Sequence, residues 1–482
     1  MSHSTQEQHA GSAIALGYTS LDEEIVLDHL PVSGNIPTWL EGSLLRNGPA
    51  KFEVGEQRYR HWFDGFSMLH RFTFQQGQVA YANRFLRSDS YVESMRKQRL
   101  TGSAFGTTDP CKAIFRKTQS ALINANVSVD QMVGEFVAMT EAPVPVRFDP
   151  HTLDTLGVVE YDDRLTGHHG CAHPHHDGTR QVLSFMTEFG PQSEFKVFAI
   201  GNQAPPQRRL VGSYAVDIYS YIHSFSISEH YIIIAEYPYQ MKPLDLLQSG
   251  KPFIENFHWY PEHGTRFVVM DKQDGHVVRT FQAESFFSFH HINAFERDGD
   301  IFVDLAAYPD ATIIRGLYLD QLRGELHAIE LPHPSEFRRY HLPLSSEATT
   351  AGYERITNMS IELPTINYRR YNAHDYGVAY GISTDKQNPA VIANQLVRVD
   401  IRNRSALTWA EENCYPGEPV FVEAPNAQAE DDGVVLSVVL DGQKCNSFLL
   451  VLHAQTFQEI GRAEVPHHIP FGFHGLFFPG IE

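Results

Sequence analysis

Two adjacent histidines, His290 and His291, are the most prominent candidates for a chemical role in this chain. They lie in an aromatic segment, FSFHHINAFE at residues 287–296. Apolar residues alternate along the segment, which predicts a β-strand, and successive side chains of a strand point to opposite faces. One of His290 and His291 should therefore face inward, where a neutral imidazole is a good ligand for a divalent transition metal. The alternative is an ordinary buried histidine with hydrogen-bonded ring nitrogens.

Three more histidines lie in similarly apolar, strand-like settings: His173 in GCAHPHHDG, His223 in YIHSFSISEHY and His474 in PFGFHGLFF. With His290 they make a set of four whose members are 50, 67 and 184 residues apart, which is too far for one helix or a finger-type site. Strands of distant blades that converge on a propeller axis would bring them together. Four neutral imidazoles favour iron, copper or zinc over magnesium or calcium.

Three glutamates are flanked by apolar or proline-rich sequence, where a lone carboxylate would be costly to bury. They are Glu141 in AMTEAPVPV, Glu362 in IELPTINY and Glu418 in YPGEPVFV. Each could hold the second N–H group of a metal-ligating imidazole. The alternative for each is a structural salt bridge with an arginine.

A unit of two short strands joined by a polar turn recurs along the chain. Turns rich in Asp, Gly, Asn or Gln between alternating apolar residues predict hairpins. The predicted hairpins are residues 72–85, 146–161, 267–281, 396–409 and 449–465. Repeated small antiparallel sheets predict an all-β fold, a β-propeller whose long insertions cap the axis on one face. A β-sandwich with long loops is the alternative.

No internal domain boundary is visible in the sequence. Residues 1–35 are expected to form a poorly ordered tail, and residues 36–482 a single catalytic domain. The polar N-terminus has no signal-peptide pattern and every apolar run is too short to span a membrane, so the expected location is the cytoplasm. The four cysteines lie far apart and are expected to be reduced thiols.

A formal charge of -20, without any Lys/Arg-rich run, argues against nucleic acid as a partner and against electrostatic attachment to anionic lipid. The 32 phenylalanines and 21 tyrosines are compatible with an aromatic-lined tunnel for an apolar small molecule, although a large all-β core would look the same. Two segments, 105–123 and 237–258, carry apolar groups that could contact a membrane surface. The alternative is a helix and a loop packed on the propeller.

A series of motifs runs from about residue 38 to residue 477: LEGSLLRNGPAKFEVG, HWFDGFSMLHRF, FGTTDPCKAIF, CAHPHHDG, YIHSF, FHHINAFE, IELPTINY, GEPVFV with AEDDGVVLSVVL, and PFGFHGLF. In their wording, order and spacing these motifs resemble the carotenoid cleavage oxygenase family. Within that family the chain is most similar to the animal branch of β-carotene-cleaving oxygenases and the retinoid isomerase.

The resemblance implies a seven-bladed propeller with one iron(II) per chain on its axis. It places four iron ligands and three glutamates behind them on His173, His223, His290, His474, Glu141, Glu362 and Glu418. One imidazole is expected to lack a glutamate partner. The segments 105–123 and 237–258 match regions that dip into the membrane in relatives, which favours peripheral membrane contact.

The implied activity is insertion of both atoms of O2 across one C=C bond of a carotenoid or apocarotenoid, giving two aldehyde or ketone products. The animal-like wording favours cleavage of β-carotene to retinal. No side-chain nucleophile is needed, and no Ser-His-Asp or GxSxG arrangement is recognisable. Phe289 is expected to line the substrate tunnel. Val127 falls where some relatives place a residue over an open iron position, but a core valine fits equally and Val127 is left out of the predicted site.

Three other functions remain open from the sequence. One is cleavage of a phenolic stilbene, although the lysine and tyrosine that anchor such substrates have no clear match here. Another is isomerohydrolysis of a retinyl ester, which needs no oxygen. The third is a non-catalytic propeller that binds an apolar ligand and holds structural zinc, although such zinc sites are usually closed by cysteines.

Overall fold

Antiparallel strands make up most of the regular structure in the computed structural model, which describes residues 13–102, 104–108, 123–178, 181–325, 332–385 and 393–481. Seven sheets of four to six strands form the blades of a β-propeller. We number the blades along the chain, beginning with the sheet that holds Gly42–Lys51. The all-β propeller expected from the sequence is therefore confirmed, and the β-sandwich alternative is wrong.

The strands of the first four blades follow in hydrogen-bonding order. Blade 1 consists of Val26–Leu27, Gln78–Phe85, Phe66–Gln75, Gly42–Lys51 and Gly475–Phe478. Blade 2 consists of Thr155–Val158, Val146–Phe148, Glu135–Met139 and Ser128–Met132. Blade 3 has two short inner strands, both paired with the first of its three long strands: His169–Gly170, His175–His176, Val182–Glu188, Ser193–Ile200 and Arg208–Val216. Blade 4 consists of Ser226–Ile227, Tyr231–Glu236, Thr265–Asp271 and Val277–Ala283.

The remaining blades and the minor elements complete the described fold. Blade 5 consists of His291–Arg297, Asp300–Ala307, Glu336–Leu342 and Gly352–Arg355. Blade 6 consists of Glu362–Thr365, Val378–Ser383, Gln395–Asp400 and Ser405–Trp409. Blade 7 consists of Val32–Gly34, Glu459–Val465, Asn446–His453 and Gly433–Asp441, the last of which pairs with both Cys414–Pro416 and Val420–Glu423. Two small sheets hold Tyr219–Ser220, Tyr239–Met241 and His258–Trp259, and Glu53–Val54 and Gln57–Arg58.

The described helices are short. The α-helices are Asp89–Lys97, Pro243–Gln248, Thr312–Gly316, Leu319–Leu322 and Tyr368–Tyr371. The 3-10 helices are Ala13–Tyr18, Trp62–Asp64, Phe253–Asn256 and Pro261–His263. Among the residues that the structure describes, no helix is long and apolar enough to cross a membrane.

The five predicted hairpins all lie within the blades. The first of them is formed by Phe66–Gln75 and Gln78–Phe85, and the last by Asn446–His453 and Glu459–Val465.

The strand Gly433–Asp441 does not show the alternation of apolar and polar residues that predicts a strand, because both of its faces are buried between blades. Val434 and Leu436 pack toward blade 1, whereas Val435 and Val439 pack toward blade 6.

Both ends of the described chain close the propeller ring. Val32–Gly34 pairs with the strand Glu459–Val465 of blade 7, and Gly475–Phe478 pairs with Gly42–Lys51 of blade 1. The sequence predicts a poorly ordered tail over residues 1–35, but its described part, residues 13–35, packs on the propeller, where Tyr18, Leu21 and Leu30 are buried. The strands in this segment have only two or three residues, which is too short for a recognisable pattern.

Candidate metal centre

The four predicted histidines meet at one end of the innermost strands of four blades. His474 directly precedes the inner strand of blade 1, His290 directly precedes that of blade 5, and His223 lies three residues before that of blade 4. His173 lies between the two short inner strands of blade 3. Inner strands of a propeller surround its axis, so residues at the same end of these strands converge although the chain separates them widely.

The ligand atoms of these four side chains are close enough to share one metal ion. Each histidine offers one ring nitrogen, and the four nitrogens all lie within 4.8 Å of one another. Nε2 of His173 lies 2.9 Å from Nε2 of His223, and Nε2 of His290 lies 3.2 Å from Nε2 of His474. A metal ion bound at about 2.1 Å would hold neighbouring nitrogens roughly 3 Å apart and opposite ones roughly 4 Å apart, so the spacing suits such an ion.

Three of the imidazoles are held from behind by the three predicted glutamates. His223 Nδ1 donates to Glu141 at 2.7 Å, His290 Nδ1 to Glu362 at 2.5 Å and His474 Nδ1 to Glu418 at 2.7 Å. A carboxylate can only accept, so the proton of each ring is on Nδ1 and Nε2 carries a lone pair. The lone pairs of His290 and His474 thus face each other at 3.2 Å without a proton between them, a repulsive contact that a bound cation would relieve.

His173 is the exception in this set. Among the described residues, it is the one of the four whose ring makes no hydrogen bond to a carboxylate. Its backbone N–H instead donates to the sulfur of Cys171 at 3.3 Å, and that thiol lies 3.4 Å from the carbonyl of His223. Burial raises the pKa of Cys171, so the sulfur stays a neutral thiol that holds two of the histidine loops together.

Burial favours the neutral, metal-ligating form of His173, His223 and His474. It lowers the pKa of His173 well below the usual range, and the other three rings lower that pKa further. Burial also lowers the pKa of His223 and His474, although their glutamates act in the opposite direction. Neutral imidazoles compensate none of a cation's charge, so that charge would act on whatever binds beside it.

Glu141 serves several groups at once. Burial alone would raise its pKa, but the nearby His169 ring at 3.4 Å and the hydrogen bond from His223 outweigh burial and lower the pKa to about 2. The Tyr221 hydroxyl donates to the same carboxylate at 2.8 Å. This carboxylate of blade 2 is therefore ionised and reaches across to blade 4 instead of to His173 on the adjacent blade 3.

Glu418 also has the arginine partner that a structural carboxylate would have. Arg46 Nη1 lies 3.7 Å from Glu418 Oε2, but the guanidinium donates its hydrogen bonds to the backbone carbonyls of Glu418 and Phe473, both at 3.1 Å. The carboxylate itself accepts from His474 and from the backbone N–H of Gly475 at 2.8 Å. Arg46 thus ties the loop of Glu418 to the loop of His474, whereas the carboxylate orients the ring.

His291 does not join the cluster. Its Nδ1 lies 2.6 Å from the hydroxyl oxygen of Ser226, and its Nε2 lies 3.0 Å from that of Tyr237. The predicted strand begins at His291 and not at Phe287, but the expectation that the two adjacent histidines point in opposite directions is correct.

An apolar cavity of about 500 Å³ leads to one side of the cluster and is contacted by His223, His290 and His474. Phe289, predicted as a substrate-tunnel residue, lines this cavity, with its ring centroid 5.5 Å from that of His223. The wall also contains aromatic residues that the sequence did not single out: Trp62, Phe63, Phe105, Tyr308 and Phe473. Val127 lines the cavity as well and its carbonyl accepts from the His474 backbone N–H at 3.1 Å.

A buried carboxylate organises part of this aromatic wall. Asp64, in the HWFDGF motif, accepts hydrogen bonds from the Thr107 hydroxyl at 2.6 Å and the Gly106 N–H at 2.9 Å. These bonds fix the segment that carries Phe105 against Phe63, with ring centroids 5.1 Å apart. The signal was present in the sequence as an aspartate between aromatic residues, but its partner lies about 40 residues away.

The two segments expected to contact a membrane are only partly described. Residues 109–122 of the segment 105–123 lie outside the described residues. In the segment 237–258, the helix Pro243–Gln248 leaves Leu244 and Leu247 64% and 63% exposed.

Comparison with known proteins agrees with this fold over nearly the whole chain. The model of the family described as retinal pigment epithelial membrane protein matches residues 18–479. The mitochondrial carotenoid-cleaving dioxygenase of Homo sapiens is 32% identical over 93% of this chain and 88% of its own length. The beta,beta-carotene 15,15'-dioxygenase of Mus musculus is 32% identical over 94% of this chain and 89% of its own.

A solved structure of a single-residue variant of the Synechocystis apocarotenoid oxygenase has the same fold. It superimposes with a TM-score of 0.87, at 23% identity, over 97% of this chain and 98% of that one. The family match and the two relatives, each above 30% identity and each covered almost completely, place this chain in the carotenoid oxygenase family, which the retinal pigment epithelial membrane protein represents.

Proposed function

We propose that this chain is a non-haem iron(II) dioxygenase that cleaves one C=C bond of a carotenoid or apocarotenoid with O2, giving two aldehyde or ketone products. The observation that carries the proposal is the cluster of four histidine rings beside an apolar cavity of about 500 Å³. In three of these rings Nδ1 donates a hydrogen bond to a carboxylate. The same residues in a polar, open cleft would suit many metal-dependent reactions, whereas the apolar cavity suits a polyene.

The ligand set argues against several of the alternatives to iron. It contains no thiolate, which argues against a closed structural zinc site, and no ligating carboxylate, which argues against magnesium or calcium. His173, His223, His290 and His474 would hold one ion per chain and leave up to two octahedral positions open. When bound, iron(II) would supply a centre that activates dioxygen next to the alkene.

The protein's own groups would orient the metal ligands and exclude water from the reacting partners. The three glutamates fix the ring orientation of His223, His290 and His474 and place the ring proton on Nδ1, as the carboxylate partners of metal-bound histidines generally do. The ring of Phe63 contacts the rings of Phe289 and Phe473. Beside the cluster these rings would exclude water and stop the polyene at one depth. The depth would then select the bond that is cleaved.

Relatives with printed activities guide the choice of substrate. The human relative is a carotenoid-cleaving dioxygenase and the mouse relative a beta,beta-carotene 15,15'-dioxygenase. We therefore propose β-carotene, cleaved to retinal, as the first substrate to test, with an apocarotenal second. A phenolic stilbene is the third, because the cavity also contains polar groups such as Thr140 and Asn358 that could accept or donate to a hydroxyl.

We also propose that residues 36–482, with the packed segment before them, act as one catalytic domain that contacts membranes through the segment 237–258. Leu244 and Leu247 present exposed leucines on one helix, and the following Phe253 contacts the cavity-wall residue Phe105 at a centroid distance of 6.2 Å. A polyene dissolved in a bilayer would thus be close to the cavity. Leu244→Asp with Leu247→Asp should reduce co-flotation with phosphatidylcholine vesicles, and unchanged flotation would contradict this contact.

Anaerobic purification with metal analysis tests the main proposal. Oxygen is then added with β-carotene, an apocarotenal or resveratrol in separate reactions, and the products are separated by chromatography. About one iron per chain and two carbonyl products with oxygen consumption support a dioxygenase, and the product lengths name the bond. Zinc in place of iron, or iron without oxygen consumption on any substrate, would contradict it and leave a binding propeller.

A further inference from the structure

A second, larger cavity reaches the four-histidine cluster along the propeller axis. It has a volume of about 1200 Å³ and contacts His173, His290 and His474, whereas the apolar cavity contacts His223, His290 and His474. Its walls are the inner strands themselves: Ser128–Met132, His175–His176, Glu362–Thr365, Val420–Glu423 and Gly475–Phe478. Since these strands lead away from the cluster, this axial funnel approaches the histidines from a different side than the apolar cavity.

The axial funnel has charged groups among its lining residues, with an excess of negative charge. Its lining includes six carboxylates against three basic side chains: Glu41, Asp130, Asp177, Glu229, Glu418 and Glu423 against Lys272, Arg369 and Arg370. Arg370 and Glu423 form an ion pair at 3.0 Å, so the excess lies with the other lining carboxylates. Clefts lined with one sign of charge concentrate ions of the opposite sign and speed their entry.

One histidine–carboxylate pair lies in this funnel close to the cluster. His176 Nε2 lies 3.0 Å from both oxygens of Asp130, which is almost fully buried, while His176 is partly exposed. His176 follows His173 by three residues along the inner edge of blade 3, a separation of at most about 10 Å. By contrast, both ring nitrogens of His175 are taken up, by the Tyr368 hydroxyl and the Phe225 carbonyl, each at 2.9 Å.

The apolar cavity is a poor route for a hydrated cation. Phe63, Phe289 and Phe473 form part of its wall near the cluster, and an ion that passes these rings loses hydration there. Two carboxylates of the same wall, Glu141 and Glu362, are already hydrogen-bonded to histidines of the cluster. Dioxygen and a polyene, which are apolar, carry no such penalty. The two cavities therefore separate by chemistry the two kinds of species that the cluster needs.

We infer that the axial funnel is the entry route by which a hydrated divalent transition-metal ion reaches the four histidines, with Asp130 and His176 as a transient binding place on the way. This inference rests on the metal centre of the proposed function but not on its reaction. Asp130 and His176 act before the ion is bound, so they should govern the rate of metal uptake and not the final affinity.

Uptake of Co²⁺ by the metal-free protein tests the route. Samples are quenched with a chelator at set times and their cobalt is measured by mass spectrometry, so no enzymatic activity is needed. A divalent ion about 5 Å from one carboxylate in water gains attraction worth roughly tenfold in local concentration. Asp130→Asn should therefore slow Co²⁺ uptake about tenfold, and His176→Gln should also slow it.

A matched control has the same kind of pair away from the axis. His341 Nε2 lies 2.7 Å from Asp300 on blade 5, and His341 is about as exposed as His176. Asp300→Asn should leave the uptake rate unchanged. For the native protein, raising salt from about 0.01 to 0.15 M should slow uptake, because the Debye length falls from roughly 30 to 8 Å, and Asp130→Asn should weaken this dependence.

Two results would overturn the inference. One is a native rate of Co²⁺ uptake in the Asp130→Asn protein. If its equilibrium affinity for Co²⁺ is weaker at the same time, Asp130 is a part of the metal site and not of the route. The other is slowed uptake in Leu317→Trp, which narrows the apolar cavity away from the histidines. If Co²⁺ uptake follows the funnel but no substrate is oxidised, the route stands and only the proposed reaction fails.

Discussion

Replacing Glu418 by glutamine changes one buried group and keeps its volume. Glu418 is 4% exposed, and its two oxygens accept from His474 Nδ1 and from the Gly475 N–H. A glutamine oxygen can still accept from one of these donors, but its NH2 group must then face the other. The substitution therefore removes a charge-assisted hydrogen bond and places two donors together.

The structure indicates that this change should affect metal binding and not the contacts between the loops. Arg46 keeps its two bonds to the backbone carbonyls of Glu418 and Phe473, so the loops of blades 7 and 1 stay tied. The His474 ring, however, loses the carboxylate that fixes its proton on Nδ1, and with it part of the basicity of Nε2. Loss of such a partner typically weakens metal binding about 10- to 100-fold, or roughly 1.4 to 2.7 kcal/mol.

Competition against a chelator of known affinity measures this effect directly. Native protein, Glu418→Gln and the control Glu464→Gln are equilibrated with Fe²⁺ under anaerobic conditions and the bound iron is determined. Glu464 lies on an outer strand of blade 7 and contacts Lys444 and Asn446, so its substitution should leave iron affinity unchanged. Thermal unfolding of the metal-free proteins checks that the fold is retained.

An iron affinity of Glu418→Gln within about twofold of the native value would refute the reasoning. It would mean that the Nδ1–carboxylate bond of His474 orients nothing that the metal needs. A much lower unfolding temperature of the metal-free variant would instead place the role of Glu418 in the Arg46 contact. Only weaker binding with an intact fold agrees with the geometry described above.

Three further predictions concern other parts of the site. His290→Ala should reduce bound iron about tenfold or more at equal protein concentration, by metal analysis, while circular dichroism stays native; full iron content would exclude His290 as a ligand. Val127→Phe should place a ring in the cavity beside His474 and reduce turnover about tenfold or more with iron content unchanged; native turnover would make Val127 a remote wall residue. Burial raises the pKa of Asp64 from 3.8 to about 6, so the folded state binds this proton more tightly than the unfolded state. The contribution of protonated Asp64 to the free energy of unfolding is therefore complete below about pH 4 and lost as the pH rises through about 6. Asp64→Asn should make the fall in unfolding temperature over that range smaller. An equal fall in both proteins would contradict this pKa.

The sequence is informative about the cluster because each of its residues lies within three residues of a strand end. His223, His290 and His474 stand out since imidazoles and apolar neighbours rarely combine without a reason, and Glu141, Glu362 and Glu418 stand out since a lone buried carboxylate is costly. Local signals of this kind survive without knowledge of the blade order. The hairpins were predictable for the same reason, because turn residues and alternation are local.

What the sequence could not give depends on contacts between blades. Glu141 belongs to blade 2 but serves His223 of blade 4, and this crossing leaves His173 without a carboxylate. The cavity wall combines Phe63 and Phe473 from opposite ends of the chain, and an aromatic residue in a core looks the same in sequence as one in a wall. The short strands Val26–Leu27 and Val32–Gly34 have no pattern to detect, although they pair with blades 1 and 7.

Closure of the ring by Gly475–Phe478 makes metal retention a measure of folding order. Three histidines come from consecutive blades, but His474 reaches them only when its strand has paired with Gly42–Lys51, more than 400 residues earlier in the chain. A chain that has folded six blades but not joined its two ends would present three imidazoles and bind metal weakly. During biosynthesis, tight metal binding should therefore be the last event, and a misassembled ring would reveal itself as a protein that cannot keep its ion.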